Sequence, residues 1–209
     1  INGIGVNIEK FAFVPPKLSP VTFLLIARLI KDKGILEYVE AARLLKQKYP
    51  TAIFQLLGPL DINPAAITQT QLNQWTKEGI IEYLGKTNDV RPFIAESSVY
   101  VLPSYREGTP RSVLEAMSMG RPVITTDAPG CRETVVNGRN GFLVPVKDIS
   151  ALKSAMEKFI LEPDLIVQMG KQSRIIAEEK YDVRKVNRVI LQEMGLIDAN
   201  EMLGDNLCV

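Results

Sequence analysis

Histidine is absent from the 209 residues. The chain can therefore supply no imidazole general base, no His–Asp pair and no zinc site built on imidazole. Cysteine occurs only twice, as Cys131 and Cys208, so neither a disulfide framework nor a Cys-based metal site is indicated. No apolar run approaches membrane-spanning length, and no secretory signal peptide opens the sequence. Charge of one sign is also missing: 25 basic and 24 acidic residues leave a net charge of +1. That balance offers no basic stripe for nucleic acid. A reducing cytoplasm suits this set of absences. Two motifs are lacking as well. No Asp-X-Asp is present to hold a divalent ion, and no Gly-X-Gly-X-X-Gly follows the first strand, which disfavours a nicotinamide dinucleotide site.

What is present is a globular composition, 46% hydrophobic and 23% charged, in a chain long enough to bury a sizeable core. Apolar runs at 21–27, 52–58, 80–85, 98–104, 121–127 and 141–146 read as buried strands. Helical spacing covers 34–50, 65–78, 88–96, 109–119, 148–161, 164–179 and 183–194, with a frayed tail over 195–209. Strands alternating with helices predict a parallel sheet covered on both faces, and right-handed crossovers make that a doubly wound, Rossmann-like α/β domain. In such sheets ligands lie outside the carboxyl ends of the strands. The polar residues just after each strand are therefore the candidates.

After the first strand come Arg28, Lys33 and then Gly34, which opens a helix. Two cations beside free backbone N–H groups and a positive helix end can form an anion site, although two solvated loop cations are the simpler reading. Gly58-Pro59 and Gly85-Lys86 follow the second and third strands. Glycine there lets a ligand approach the backbone, and equally it makes ordinary turns. After the fourth strand the sequence "SYREGTPRSVLEAMSMG" places Thr109 as an N-cap, Pro110 at the first helical position and Gly120 at the end. Val113, Leu114 and Met117 form the apolar face, and Glu115 points nearly opposite. Glu115 reads either as a surface partner of Arg111 one turn away or as an acceptor for two adjacent ligand hydroxyls. Glu107, in the loop ahead, reads as an acid favoured by the helix dipole or as a second hydroxyl acceptor.

The ordered set "ARLIKDKG", "LGP", "YLG", "PSYREGTPRSVLEAMSMGRPVITTDAPGCRETV" and "NGFLVP" resembles the C-terminal, donor-binding half of glycosyltransferase family 4, whose members are retaining enzymes of GT-B architecture. Two glutamates separated by seven residues, here Glu107 and Glu115, are that family's hallmark. The resemblance implies that Arg28 and Lys33 bind the donor diphosphate and that Glu107 faces the donor sugar. It also implies that Glu115 meets the nucleotide ribose, that Gly108, Thr109 and Pro110 lie against phosphates and sugar, and that Gly58, Gly85 and Lys86 belong to the donor site. The family more often carries Phe-Gly at 109–110. Pro110 has no N–H, which leaves that contact to Thr109. The implied donor is a nucleotide-diphosphate sugar, most simply a UDP-sugar, used without metal or other cofactor to glycosylate a hydroxyl in polysaccharide or lipid-linked oligosaccharide assembly. A non-catalytic sugar-nucleotide-binding subunit and another GT-B enzyme such as an epimerase stay open as alternatives.

The opening "INGIGVN" carries no Met and resembles the linker that precedes a donor domain. Residues 1–18 are accordingly expected to be linker and domain start, 19–180 the donor domain, and 181–209 a last helix and tail that pack on a missing N-terminal domain. That missing domain would bind the acceptor and could bring the whole enzyme to the inner face of a membrane. A half-chain of this kind is expected to bind donor weakly and to catalyse poorly.

Overall fold

The structure is a computed structural model and describes residues 5–196. Six strands are present: β1 (Thr22–Ile26), β2 (Ile53–Leu57), β3 (Glu82–Tyr83), β4 (Val99–Leu102), β5 (Val123–Thr126) and β6 (Gly141–Val144). All pair in parallel in the order β3-β2-β1-β4-β5-β6. Seven α-helices accompany them: α1 (Ile35–Lys48), α2 (Gln69–Lys77), α3 (Arg91–Glu96), α4 (Arg111–Ser118), α5 (Ile149–Leu161), α6 (Asp164–Lys180) and α7 (Val183–Glu193). This is the doubly wound α/β architecture expected from the alternation of strands and helices. The order reverses between β1 and β4, which makes the crevice outside their carboxyl ends the topological switch point.

Burial on both faces explains why the strands read as unbroken apolar runs. Phe23 and Leu25 of β1 face a core built with Tyr38, Val39 and Leu45 of α1 and Met156 and Phe159 of α5. Leu24, between them, faces the second core with Tyr100, Val113, Leu114 and Met117. The strand expected over 80–85 shrinks to two residues, because β3 is an edge strand paired only with β2. Two helices also start later than periodicity suggests. α2 begins after Thr68, whose hydroxyl and Gln71 close a capping box. α3 begins at Arg91, with Pro92 inside its first turn.

The far side of α4 is closed by residues 6–11 and by α6. Val6, Ile8 and Phe11 are buried in the second core beside Ile176, Ala177 and Tyr181. Arg174 of α6 donates to the carbonyls of Ile8, Phe11 and Ser118, and the Ser118 hydroxyl donates to the Phe11 carbonyl at 2.6 Å. Arg121 is fully buried without a carboxylate, its guanidinium donating to the carbonyls of Ile94, Val14 and Ala95. Residues 5–14 are thus packed into the domain. The frayed tail expected over 195–209 lies, beyond Leu196, outside the described residues.

Gly58 ends β2 with φ 150°, and a Cβ built there would lie 1.8 Å from the Ala27 carbonyl oxygen of the neighbouring strand. The glycine is therefore required by strand packing alone. Gly58→Ala is expected to destabilise the domain by about 2 kcal/mol or more in urea unfolding without any ligand present.

Candidate functional site

A cavity of about 380 Å³ opens at the switch point. Ile26, Ala27 and Arg28 reach it from the end of β1, Leu57, Gly58 and Pro59 from β2, and Leu102 and Glu107 from β4 and its loop. Pro110, Arg111, Ser112 and Glu115 enter from the start of α4, and Thr87 and Val90 from the segment before α3. Of the residues singled out in the sequence, Arg28, Lys33, Gly58, Glu107, Pro110 and Glu115 line this one space. Gly85, Lys86, Gly108 and Thr109 stand outside the lining. Gly85 serves the fold, its carbonyl accepting from the Gly58 N–H at 2.8 Å, and Lys86 is exposed.

The site has a packed side and an open side. On the packed side, Lys33 closes the 3₁₀ turn Lys31–Lys33 ahead of α1, and its Nζ lies 2.5 Å from Glu107 Oε1. Both side chains are largely shielded, at 20% and 13% exposure, so this ion pair is screened less than a surface pair would be. On the open side, the Arg28 guanidinium is 63% exposed and meets Asp61 at 3.1 Å. Asp61 is itself fixed by accepting the Asn63 N–H through its other oxygen at 2.9 Å.

The start of α4 differs from expectation. Pro110 combines a helical φ of −69° with an extended ψ of 113°, so it is the N-cap and the first helical residue is Arg111. Thr109 makes no cap bond, and no side chain caps this helix. The first N–H groups of a helix lack intrahelical acceptors, and here the first two helical residues, Arg111 and Ser112, line the cavity. Ser112 carries no periodic signal in sequence. Its hydroxyl lies 2.7 Å from that of Tyr100, which also contacts the Ile26 carbonyl at 3.1 Å. Burial pushes the Tyr100 phenol well above its ordinary range.

Glu115 is more buried than an ordinary surface partner of Arg111: it is 8% exposed and lines the cavity. Its Oε1 accepts from Arg111 Nε at 3.1 Å. Burial pushes its carboxyl above the ordinary range, against the pull of the Arg111 guanidinium. Among the described residues no group of three or more His, Cys, Asp or Glu is placed to hold a metal ion, and no helix is long and apolar enough to cross a membrane.

Two carboxylates, three cations and a helix N-terminus thus surround one cavity at the strand ends. Residues 20–162 match the family described as Glycosyl transferases group 1. The chain belongs to that family. It is 30% identical over 186 residues to the Campylobacter jejuni N,N'-diacetylbacillosaminyl-diphospho-undecaprenol alpha-1,3-N-acetylgalactosaminyltransferase, covering 83% of this chain and 48% of the relative. It is 28% identical over 183 residues to the Escherichia coli UDP-Gal:alpha-D-GlcNAc-diphosphoundecaprenol alpha-1,3-galactosyltransferase, covering 81% and 47%. The chain spans about half the length of the curated relatives it matches. Among solved structures, Anabaena Alr3699/HepE in complex with UDP superposes with a TM-score of 0.79 at 22% identity, over 92% of this chain and 56% of that one. The C-terminal domain of the Francisella tularensis group 1 glycosyl transferase LpcC superposes with a TM-score of 0.73 at 22% identity, over 85% of this chain and 98% of that one. The fold expected from the sequence, that of GT-B glycosyltransferases, is the fold these structures share.

The burial of Glu115 has a measurable consequence for stability. A carboxyl whose folded pKa is raised takes up its proton more readily in the folded state, so its contribution to stability grows as pH falls through that pKa. Glu115→Gln removes the charge and keeps the shape. It is expected to stabilise the domain at neutral pH, with the gain vanishing in acid, as read by thermal unfolding across pH.

Proposed function

We propose that this chain is the donor-binding half of a retaining glycosyltransferase that takes a sugar from a UDP-sugar and passes it to a hydroxyl acceptor in polysaccharide or lipid-linked oligosaccharide synthesis. The observation that carries this reading is the convergence of Arg28, Lys33, Glu107, Glu115 and the start of α4 on one cavity at the switch point. The names of the relatives, which act on undecaprenol-linked acceptors, support the pathway class, and the UDP-bound neighbour supports the donor class.

The charge layout suits departure of a nucleotide diphosphate. Negative charge grows on the leaving phosphate, and preorganised donors aimed at growing charge are commonly the largest catalytic term. Arg28, Lys33 and the free N–H groups of α4 supply such donors. Glu107, held beside Lys33, accepts hydrogen bonds from donor-sugar hydroxyls, and Glu115 accepts from a ribose diol. These cations do the work that a divalent ion does elsewhere, so transfer is proposed to be metal-independent. The acceptor half lies in the rest of a longer enzyme, which works in the cytoplasm or at the inner face of its membrane.

Calorimetric titration of this chain with UDP, GDP and ADP, free and sugar-linked, tests the donor reading. Binding of the uridine set in preference to the others is expected. A folded chain that bound none of them would sink it. In the full-length enzyme, Glu107→Ala is expected to abolish transfer while UDP affinity stays within about threefold. Arg28→Ala should lower kcat by about 10²–10³. Unchanged activity in Arg28→Ala would remove Arg28 from the phosphate site.

A further inference from the structure

Arg111 stands at an electrostatically unfavourable place. It is the first residue of α4, where the helix dipole favours anions, and it lies N-terminal to its i,i+4 acid, the weaker of the two orientations for such a pair. Helix stability therefore does not explain a cation here. Its partner does. Arg111 is 66% exposed at the lip of the cavity, whereas the Glu115 side chain is 11% exposed in the cavity wall. An ordinary surface pair has two solvated members and is worth a few tenths of a kcal/mol. Here one member is shielded from water and relies on the other for compensation.

The contact also leaves the carboxylate usable. Arg111 engages only Oε1, and among the described residues no hydrogen bond is made to Oε2, which is not fully buried. Other groups face Glu115 more weakly. Lys10, from the N-terminal segment, favours the carboxylate, and Asp89, ahead of α3, opposes it. Asp89 is already gripped by Arg91 through two hydrogen bonds of 2.8 and 2.7 Å. The Tyr100 phenol, from β4, is neutral across the working range. Arg111 is thus the one cation in direct contact with this acid among the described residues.

We propose that Arg111 is the positioning residue of Glu115, fixing the buried carboxylate in the orientation and charge state that a nucleotide ribose diol requires; this rests on the donor-binding reading above. Burial alone drives Glu115 toward the protonated acid, which would lose one acceptor lone pair and present a competing donor to the diol. The guanidinium counters that drift and holds one oxygen, so the other is aimed into the cavity. The role differs from direct phosphate binding, because it predicts a loss that depends on pH.

The test uses this chain, its Arg111→Ala and Arg111→Lys variants, and Glu115→Gln to assign the Glu115 signal. The first readout is the carboxyl carbon shift of Glu115 against pH by NMR. The second is affinity for UDP-glucose, whose phosphates are diesters that keep their charge, at about pH 6 and about pH 8. In Arg111→Ala the Glu115 midpoint is expected to move to higher pH. The loss of UDP-glucose affinity should then be greater near pH 6 than near pH 8, with Arg111→Lys restoring most of it. An unmoved midpoint in Arg111→Ala would overturn the proposal. So would an affinity loss equal at both pH values, which is the signature of a direct phosphate contact. If the midpoint moves but the parent chain binds no UDP-glucose at either pH, the donor reading fails while the Arg111–Glu115 coupling stands.

Discussion

The loop carrying Glu107 is pinned to the ends of two neighbouring strands by hydrogen bonds to main-chain carbonyls. The Tyr105 N–H and the Ser104 hydroxyl both donate to the Asp32 carbonyl, at 2.9 and 3.0 Å, in the turn that also bears Lys33. From the other side the Glu107 N–H donates to the Pro129 carbonyl at 3.1 Å, and the Thr126 hydroxyl donates to the Ser104 carbonyl. The backbones are so close that a Cβ on Gly130, at φ 82°, would fall 1.8 Å from the Gly108 carbonyl oxygen. Glu107 and Lys33 therefore belong to one rigid unit made of the ends of β1, β4 and β5. These main-chain partners hold the two backbones beside each other, and the side chains of Lys33 and Glu107 then meet at 2.5 Å.

The opposite wall is built differently. Arg28 and Asp61 sit at an exposed lip, and the loop that carries Asp61 is braced by its own turn. The third wall, α4, is held from behind by residues far away in the chain. Phe11 and Ile8 accept from Arg174, and Val14 accepts from Arg121, so the first residues of the described chain set how α4 presents its N-terminus. An arginine buried against three carbonyls satisfies donors that would otherwise be costly to bury. The cavity is thus bounded by one rigid side, one polar and exposed side, and one helix positioned by the domain's outer layer.

The strands were legible because a strand buried on both faces is a continuous apolar run, and such runs are unmistakable at 21–27, 52–58 and 98–104. The gathering of Arg28, Lys33, Glu107 and Glu115 was legible because parallel topology sends all their strand ends to one crevice. What failed was aim. A helical wheel assumes one face in water, and α4 has almost none, since residues 6–11 and α6 pack beside it. That assumption kept a solvated pair with Arg111 open as one of the two readings of Glu115. Pro110 misled by the same locality: its ring satisfies the first helical position in φ, while its ψ of 113° is extended. Ser112 and Asp61 were invisible because a single hydroxyl or acid in a loop or first turn carries no period. Of the two readings of Gly85, a turn or a ligand contact, the structure shows the turn, its carbonyl accepting from the Gly58 N–H.

Two carboxylates face one cavity, and each is kept there by a different device. Glu107 lies before a positive helix start and against a lysine from another strand end, so its charge is compensated by groups the fold supplies anyway. Glu115 lies inside its helix, one turn down, where the dipole helps little and desolvation dominates. A buried acid in that position destabilises the domain unless something opposes it, and stability alone would favour an amide. Retaining the acid and adding an arginine at the disfavoured end of the helix are two local costs with one common benefit: a charged acceptor aimed into the cavity. When two neighbouring residues each depart from what folding favours, and each departure makes sense only through the other, the constraint that explains both lies outside the domain's own stability.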